Sequence, residues 1–196
     1  MGKGFVGKRN FEPGIEYLDV VTLDDRVRGI ASYDDVHKYG YKHRVVHVLV
    51  FKDETRQDLL LPMRSRKKRL GGLCFHSSVA GHVRHGEDYW DAGYREAKEE
   101  IFYGLDDCPP HFKLSNDGVT IQNNSDNGRN NELAKILTAI YEGQFRYNPD
   151  EIVGRATGWE NIHEIMKELN DRTKRAQYTG DFRNVFTTWY KRVPIY

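Results

Sequence analysis

The stretch that most restricts the fold is Asp88–Tyr103. Trp90, Tyr94, Ala97 and Ile101 recur there at i, i+4, i+7 and i+11, the period of a helix with one buried stripe. Glu96, Glu99 and Glu100 are related by i+3 and i+4, so they share a face of the same helix, well over a right angle from that stripe. A chain that folds this helix must press one side against an apolar layer and leave three carboxylates together on the other. His43–Phe51, dense in β-branched residues, supplies the best candidate for that layer, a central strand.

The remaining pattern surrounds these two elements. Glu16–Val21 and Val27–Ser32 read as a hairpin, and Tyr33–Tyr39 as a short helix ended by Gly40. Asp58–Met63 reads as a strand, Arg64–Phe75 as a basic loop with Gly71-Gly72, and His76–His82 as an extended stretch. Ser115–Asn131, rich in Asn, Asp and Gly, predicts a mobile polar loop or a loose hairpin tip inserted in the domain. Leu133–Phe145 returns to strand character. Trp159–Asn170 and Asp181–Arg192 read as C-terminal helices. Residues 1–15 are read as a tail, with no signal-peptide apolar core, and 16–196 as one domain. Strands, a helix, more strand and terminal helices predict an α+β or α/β/α layered architecture.

Composition narrows the classes of function. A net charge of +1 gives no global attraction to nucleic acid or membrane, so anion binding must come from local clusters. No apolar run approaches the roughly 20 residues that span a bilayer. The two cysteines, Cys74 and Cys108, have neither metal-ligand spacing nor a disulfide framework, and a reducing cytoplasm is the expected compartment.

Three clustered carboxylates repel, each pair by about 0.2–0.5 kcal/mol on an exposed helix, so something positive should sit among them. Hard divalent ions such as Mg2+ prefer oxygen ligands and complete their shell with water and substrate phosphates. A diphosphate needs such neutralisation before a nucleophile approaches phosphorus, and a neighbouring carboxylate could take the proton of the attacking water. The plainer reading is a solvated face carrying salt bridges to Lys98.

Gly81, then five residues, Glu87, then seven, Arg95-Glu96-Ala97-Lys98-Glu99-Glu100 resembles the box of the Nudix hydrolases. The end departs from it: Phe102 stands where Gly belongs and Gly104-Leu105 comes two residues late, which predicts a slightly extended helix end. The resemblance implies a Nudix-type α/β/α sandwich with a mixed central sheet. It implies that Glu96, Glu99 and Glu100 bind Mg2+ (or Mn2+) and assist the water, and that Gly81, Glu87 and Arg95 are structural. It also implies a small-molecule diphosphate substrate, such as a nucleoside diphosphate derivative, and a homodimer in many relatives.

Flanking segments, among them Leu18-Asp19, His37, His43-Arg44, Pro62-Met63-Arg64, Lys68 and Ser77–Val83, are similar to the Nudix branch that includes isopentenyl-diphosphate isomerase. That likeness implies that Arg64 and Lys68 meet the diphosphate, with His43 lining the substrate site and Glu132 as a further metal ligand or base. Ala80 stands where the isomerase has a cysteine, and Asn130 where it has one of two glutamates. An alanine cannot exchange a proton, so hydrolysis is the favoured reading. An isomerase-like enzyme and a non-catalytic ligand-binding module are the alternatives.

Overall fold

The computed structural model describes residues 11–68, 70–125 and 128–193. The expectations for residues 1–10 and for Arg69 of the basic loop lie outside them.

The sheet is organised around β3 (His43–Phe51), buried along nearly its whole length. It runs antiparallel to β1 (Tyr17–Val21), β4 (Asp58–Leu61) and β5 (Val79–His82), and parallel to β7 (Asn130–Ile140). The outer strands are β2 (Val27–Ser32) on β1, β6 (Lys113–Ser125) on β7, and β8 (Gly158–Asn161) on β4, completing a mixed 8-stranded sheet.

The alternation of a strand gives each face its own core. Val45, Leu49 and Phe51 pack with α3 (Ile162–Asn170) and α4 (Gly180–Arg192), through Ile162, Ile165, Phe182, Phe186 and Trp189. Val46, Val48 and Val50 pack with α2 (Tyr89–Glu100) on the other face. A smaller cluster of Leu18, Val20 and Val36 seats α1 (Tyr33–Tyr39). That helix starts where Ser32 Oγ accepts from the Asp35 amide at 3.2 Å and ends at Gly40 in the left-handed region, φ 66°. The predicted α+β sandwich with a mixed sheet is the architecture found.

Four readings of the sequence need correction. Of the two readings of Ser115–Asn131, the hairpin is found and the mobile loop insertion is not: β6 runs through Ser125 and pairs with β7 along a long hairpin. Val119, Ile121 and Asn123 point inward and Thr120, Gln122 and Asn124 outward, an alternation hidden beneath the Asn-rich composition. The register shifts between Asn116 and Val119, where Gly118 adopts φ 74°. That bulge aims Asp117 Oδ2 at the indole Nε1 of Trp189 (2.9 Å) and at Arg56 Nη1 (2.9 Å).

Trp159 belongs to β8, and the helix expected from it starts at Ile162, capped by Asn161, whose side-chain oxygen accepts from the His163 amide at 3.0 Å. The helix ending is not extended: α2 stops at Glu100, Phe102 is fully buried against Phe112, and Gly104 turns the chain with φ 76°.

The buried arc of α2 also differs. It runs through Tyr89, Ala92, Gly93, Ala97 and Glu100, while Trp90 and Tyr94 are only partly covered. Small residues decide this, since a Cβ on Gly93 would come within 2.9 Å of Leu114 Cδ1. The helix therefore approaches the sheet on its slimmest side and carries Glu100 inward with it.

Candidate active site and histidine cluster

The carboxylates are held by a frame built from the turn before α2. Asp88 caps the helix, its Oδ1 accepting from the amides of Trp90 and Asp91 at 2.8 Å each. Arg95 forks onto Glu87, with Nε at 2.7 Å from Oε1 and Nη2 at 3.0 Å from Oε2, and Nη2 also donates to the His82 carbonyl at 2.8 Å. Glu87 in turn accepts from the Arg84 amide at 3.0 Å. Gly81, Glu87 and Arg95 thus meet in one place: loop, helix and β5 are tied through a single guanidinium.

Glu96 receives the remaining arm of Arg95 at 2.6 Å and lies over Gly81, where any Cβ would overlap its carboxylate. Glu100 is buried and its Oε2 accepts from the Ala80 amide at 3.3 Å. Glu99 is the exposed member, facing Arg84 Nη2 at 3.6 Å. Burial raises the pKa of Glu96 to about 7 against the pull of Arg95. Burial, then the charges of Glu96 and Glu151, raises Glu100 well above the usual carboxylate range. One buried, one half-buried and one exposed carboxylate, with the guanidinium of Arg95 among them and that of Arg84 at the edge, form a set suited to a hard divalent cation.

These groups open on a cavity of about 890 Å³ that also reaches Arg64, Lys68, His47, His76, Glu132 and Asp181. Lys68 Nζ is paired with Glu151. The segment carrying Glu151 joins both halves of the cavity. Its Asn148 donates to the carbonyls of Glu100 (backbone, 2.9 Å) and Glu99 (side chain, 3.1 Å), while Glu151 O accepts from the Ser65 amide (2.8 Å) and Val153 N donates to Met63 O (2.8 Å). The basic loop and the end of the carboxylate helix are therefore held by one connection.

His43, expected at the substrate, is instead fully buried and forms a cluster with His37 and His82 whose nearest ring nitrogens all lie within 4.8 Å of one another. His37 Nδ1 donates to the Tyr33 carbonyl at 2.8 Å and His43 Nδ1 to the Tyr41 carbonyl at 3.0 Å. A carbonyl can only accept, so in the neutral ring of His43 Nε2 carries a lone pair. His43 Nε2 is buried with no hydrogen-bond partner among the described residues. Burial lowers the pKa of His43 to about 4 and that of His82 well below the ordinary imidazole value, so both rings are neutral. Three imidazoles, two of them oriented from behind by carbonyls, could hold a transition-metal ion. Glu132 pairs in register with His43 and so stands on this side of the sheet, its oxygens accepting from Asn130 (2.7 Å) and Asn123 (3.4 Å).

A comparison with known families matches residues 41–182 to the NUDIX domain. The chain belongs to the Nudix family. Its Nudix relatives include an uncharacterised Nudix hydrolase of Clostridium acetobutylicum, 32% identical over 80% of this chain and 75% of that protein. The isopentenyl-diphosphate Delta-isomerase of Pectobacterium atrosepticum is 29% identical over 91% of this chain and 92% of that one. Among solved structures, a protein of Deinococcus radiodurans superposes with a TM-score of 0.68 at 21% identity, covering 89% of this chain and 99% of its own. The chain is thereby a Nudix hydrolase, and the general chemistry of such enzymes is hydrolysis of a diphosphate linkage.

Sequence reasoning missed several polar residues of this Nudix cavity. Asn148 and Glu151 sit in a loop with no periodicity, and their contacts join segments more than 45 residues apart. Asp181 hides as the first-turn acid of α4, a position that reads as helix capping. Outside the cavity lining, Lys42 donates to Asn131 Oδ1 at 2.6 Å and could have been sought as a partner for the Asn-rich stretch.

Proposed function

We propose that this Nudix hydrolase cleaves the diphosphate linkage of a nucleoside diphosphate derivative or a similar organic diphosphate, with Mg2+ as cofactor and Mn2+ as its substitute. The observation that carries this reading is the convergence of Glu96, Glu99 and Glu100 on a cavity that Arg64 and Lys68 also line. A divalent cation bound by the three carboxylates would neutralise the diphosphate and make a nearby water more acidic.

The chain's own groups do the rest. Arg64 offers a fork to a phosphate and Lys68 a point charge, which it must first withdraw from Glu151. Arg95 keeps Glu96 directed over Gly81. Glu96, fixed by Arg95 at the edge of the cavity, is a carboxylate placed to take a proton from a water there. Glu132, on the histidine side of the sheet, lines the same cavity and stands as a further metal ligand or base. A cytoplasmic setting fits the two free thiols, Cys74 and Cys108.

The isomerase reading finds less support. Ala80 lines the cavity and has no proton to exchange, and Cys74 Sγ donates to the Ala176 carbonyl at 3.8 Å, outside the cavity lining.

The test is metal-dependent cleavage of the diphosphate linkage, read as the phosphomonoester products, across a panel of nucleoside diphosphate sugars, dinucleotides, nucleoside triphosphates and prenyl diphosphates, with Glu99→Gln and Glu100→Gln alongside. Mg2+-dependent turnover that both substitutions abolish is expected. Binding with no turnover of any member would turn the assignment toward a ligand sensor, and isomer conversion without cleavage of the diphosphate would turn it toward the isomerase.

A further inference from the structure

The basic loop and the segment 148–151 meet through two ion pairs between neighbouring residues. Lys67 Nζ reaches Asp150 Oδ1 at 2.5 Å, and Lys68 Nζ reaches Glu151 Oε2. Burial separates the two. The side chains of Lys67 and Asp150 are 72% and 67% exposed, so water screens that pair to little effect on the fold. Those of Lys68 and Glu151 are 31% and 28% exposed, and both residues line the cavity that the helix carboxylates face. The inner pair thus stands within the reaction cavity itself. The backbone of Glu151 is fixed there: its carbonyl accepts from the Ser65 amide at 2.8 Å, and Arg64 and Ile152 form a bridge beside it. On the other side, the Asn148 amide donates to the Glu100 carbonyl at 2.9 Å. The part free to move is the flexible four-carbon stem of Lys68. Arg64 differs, since its Nε donates at 3.3 Å to a neutral group, the Leu70 carbonyl.

An ammonium offers the same donors to a carboxylate and to a phosphate. A phosphate that reaches Lys68 has two courses. It draws the ammonium away and leaves Glu151, a half-buried carboxylate, without its counter-charge. Otherwise it joins the pair and sets two anions side by side. Both courses oppose the ligand, so the sign of the effect does not depend on which is taken.

We propose that Glu151 is a built-in competitor for the substrate's phosphate: it holds Lys68 until a phosphate displaces it, and so sets the affinity of the cavity for a diphosphate. The proposal rests on the diphosphate-hydrolase reading above and gives Glu151 a part in binding, not in the chemical step.

The test measures binding by calorimetry, with Mg2+ present and at low, fixed ionic strength. The probe is methylenediphosphonate, whose carbon bridge resists hydrolysis. Glu151→Gln removes the charge and leaves the backbone bond to Ser65 in place; it is expected to bind the probe about fivefold more tightly than wild type. In a Lys68→Met background the same substitution should change binding by less than about twofold, because the competition needs the ammonium. Should Glu151→Gln fail to fold, Glu151→Ala serves the same comparison. Weaker or unchanged binding by the variant, or an equal gain with and without Lys68, would overturn the proposal, as would a probe that neither wild type nor variant binds. Cleavage is followed separately on the panel above. Absence of cleavage of every member, with the fivefold gain intact, would count against hydrolysis and leave the role of Glu151 standing.

Discussion

Glu96 occupies the space that a side chain at position 81 would need: a Cβ on Gly81 would overlap both its carboxylate oxygens. The glycine of the box is therefore required by the carboxylate opposite it and not by the backbone, since no left-handed φ is recorded there. Gly81→Ala should push Glu96 aside at little cost to stability, because the displaced atoms end a flexible side chain. The expected result is a fall in kcat on the order of 100-fold with a melting temperature within a few degrees of wild type. Unchanged kcat would remove the placement of Glu96 from the reaction.

The histidine cluster should announce itself without turnover. Co2+ or Zn2+ added to metal-free protein is expected to raise the melting temperature through binding to the folded state. His43→Gln should abolish that rise, and Glu99→Gln, which leaves the three imidazoles intact, should preserve it. A rise that survives His43→Gln and is lost in Glu99→Gln would place the ion at the carboxylates instead.

His47 gives a signed pH dependence. Burial, with Arg64 second, lowers its pKa from 6.5 to about 4 in the folded chain. Between those values the unfolded chain binds more protons, so the contribution is whole above pH 6.5 and is lost as pH falls toward 4. In urea unfolding at fixed ionic strength, wild type should lose stability relative to His47→Gln across that window. Parallel pH profiles would show that His47 does not titrate on unfolding.

The bulge in β6 carries a stability prediction. Trp189 is fully buried and its indole donates to Asp117. Asp117→Ala leaves that donor unpaired and should cost about 1–3 kcal/mol, read from urea midpoints. Asp117→Asn keeps an oxygen acceptor and should cost less. A neutral Asp117→Ala would mean that water reaches the indole.

The parts of this fold written in local chemistry were legible. Ser32 and Gly40 bound α1 where the sequence places them, and the β-branched run His43–Phe51 is the central strand. The contact between Glu87 and Arg95 follows from their spacing in the box. Residues that depend on distant neighbours were not legible. The tilt of α2 is set by Gly93 against Leu114, and so the depth of Glu100 could not be read from helix periodicity. His43 was placed at the substrate by likeness to relatives, and neither that likeness nor the strand pattern says how deeply its face is covered. The Asn-rich hairpin was masked because composition argued for a loop, while Val119 and Ile121, two residues apart, carried a strand signal too short to outweigh it.

β5 is only four residues long, yet it separates two chemistries. Val79 and Gly81 face α2 and its carboxylates, and Ala80 and His82 face the imidazoles. Because its side chains alternate strictly, a slip of one residue against β3 would send His82 to the carboxylates and drive Gly81 among the histidines. The two centres therefore cannot diverge by insertion or deletion in this strand: a reading frame of four residues is their common inheritance, and change must reach them one substitution at a time.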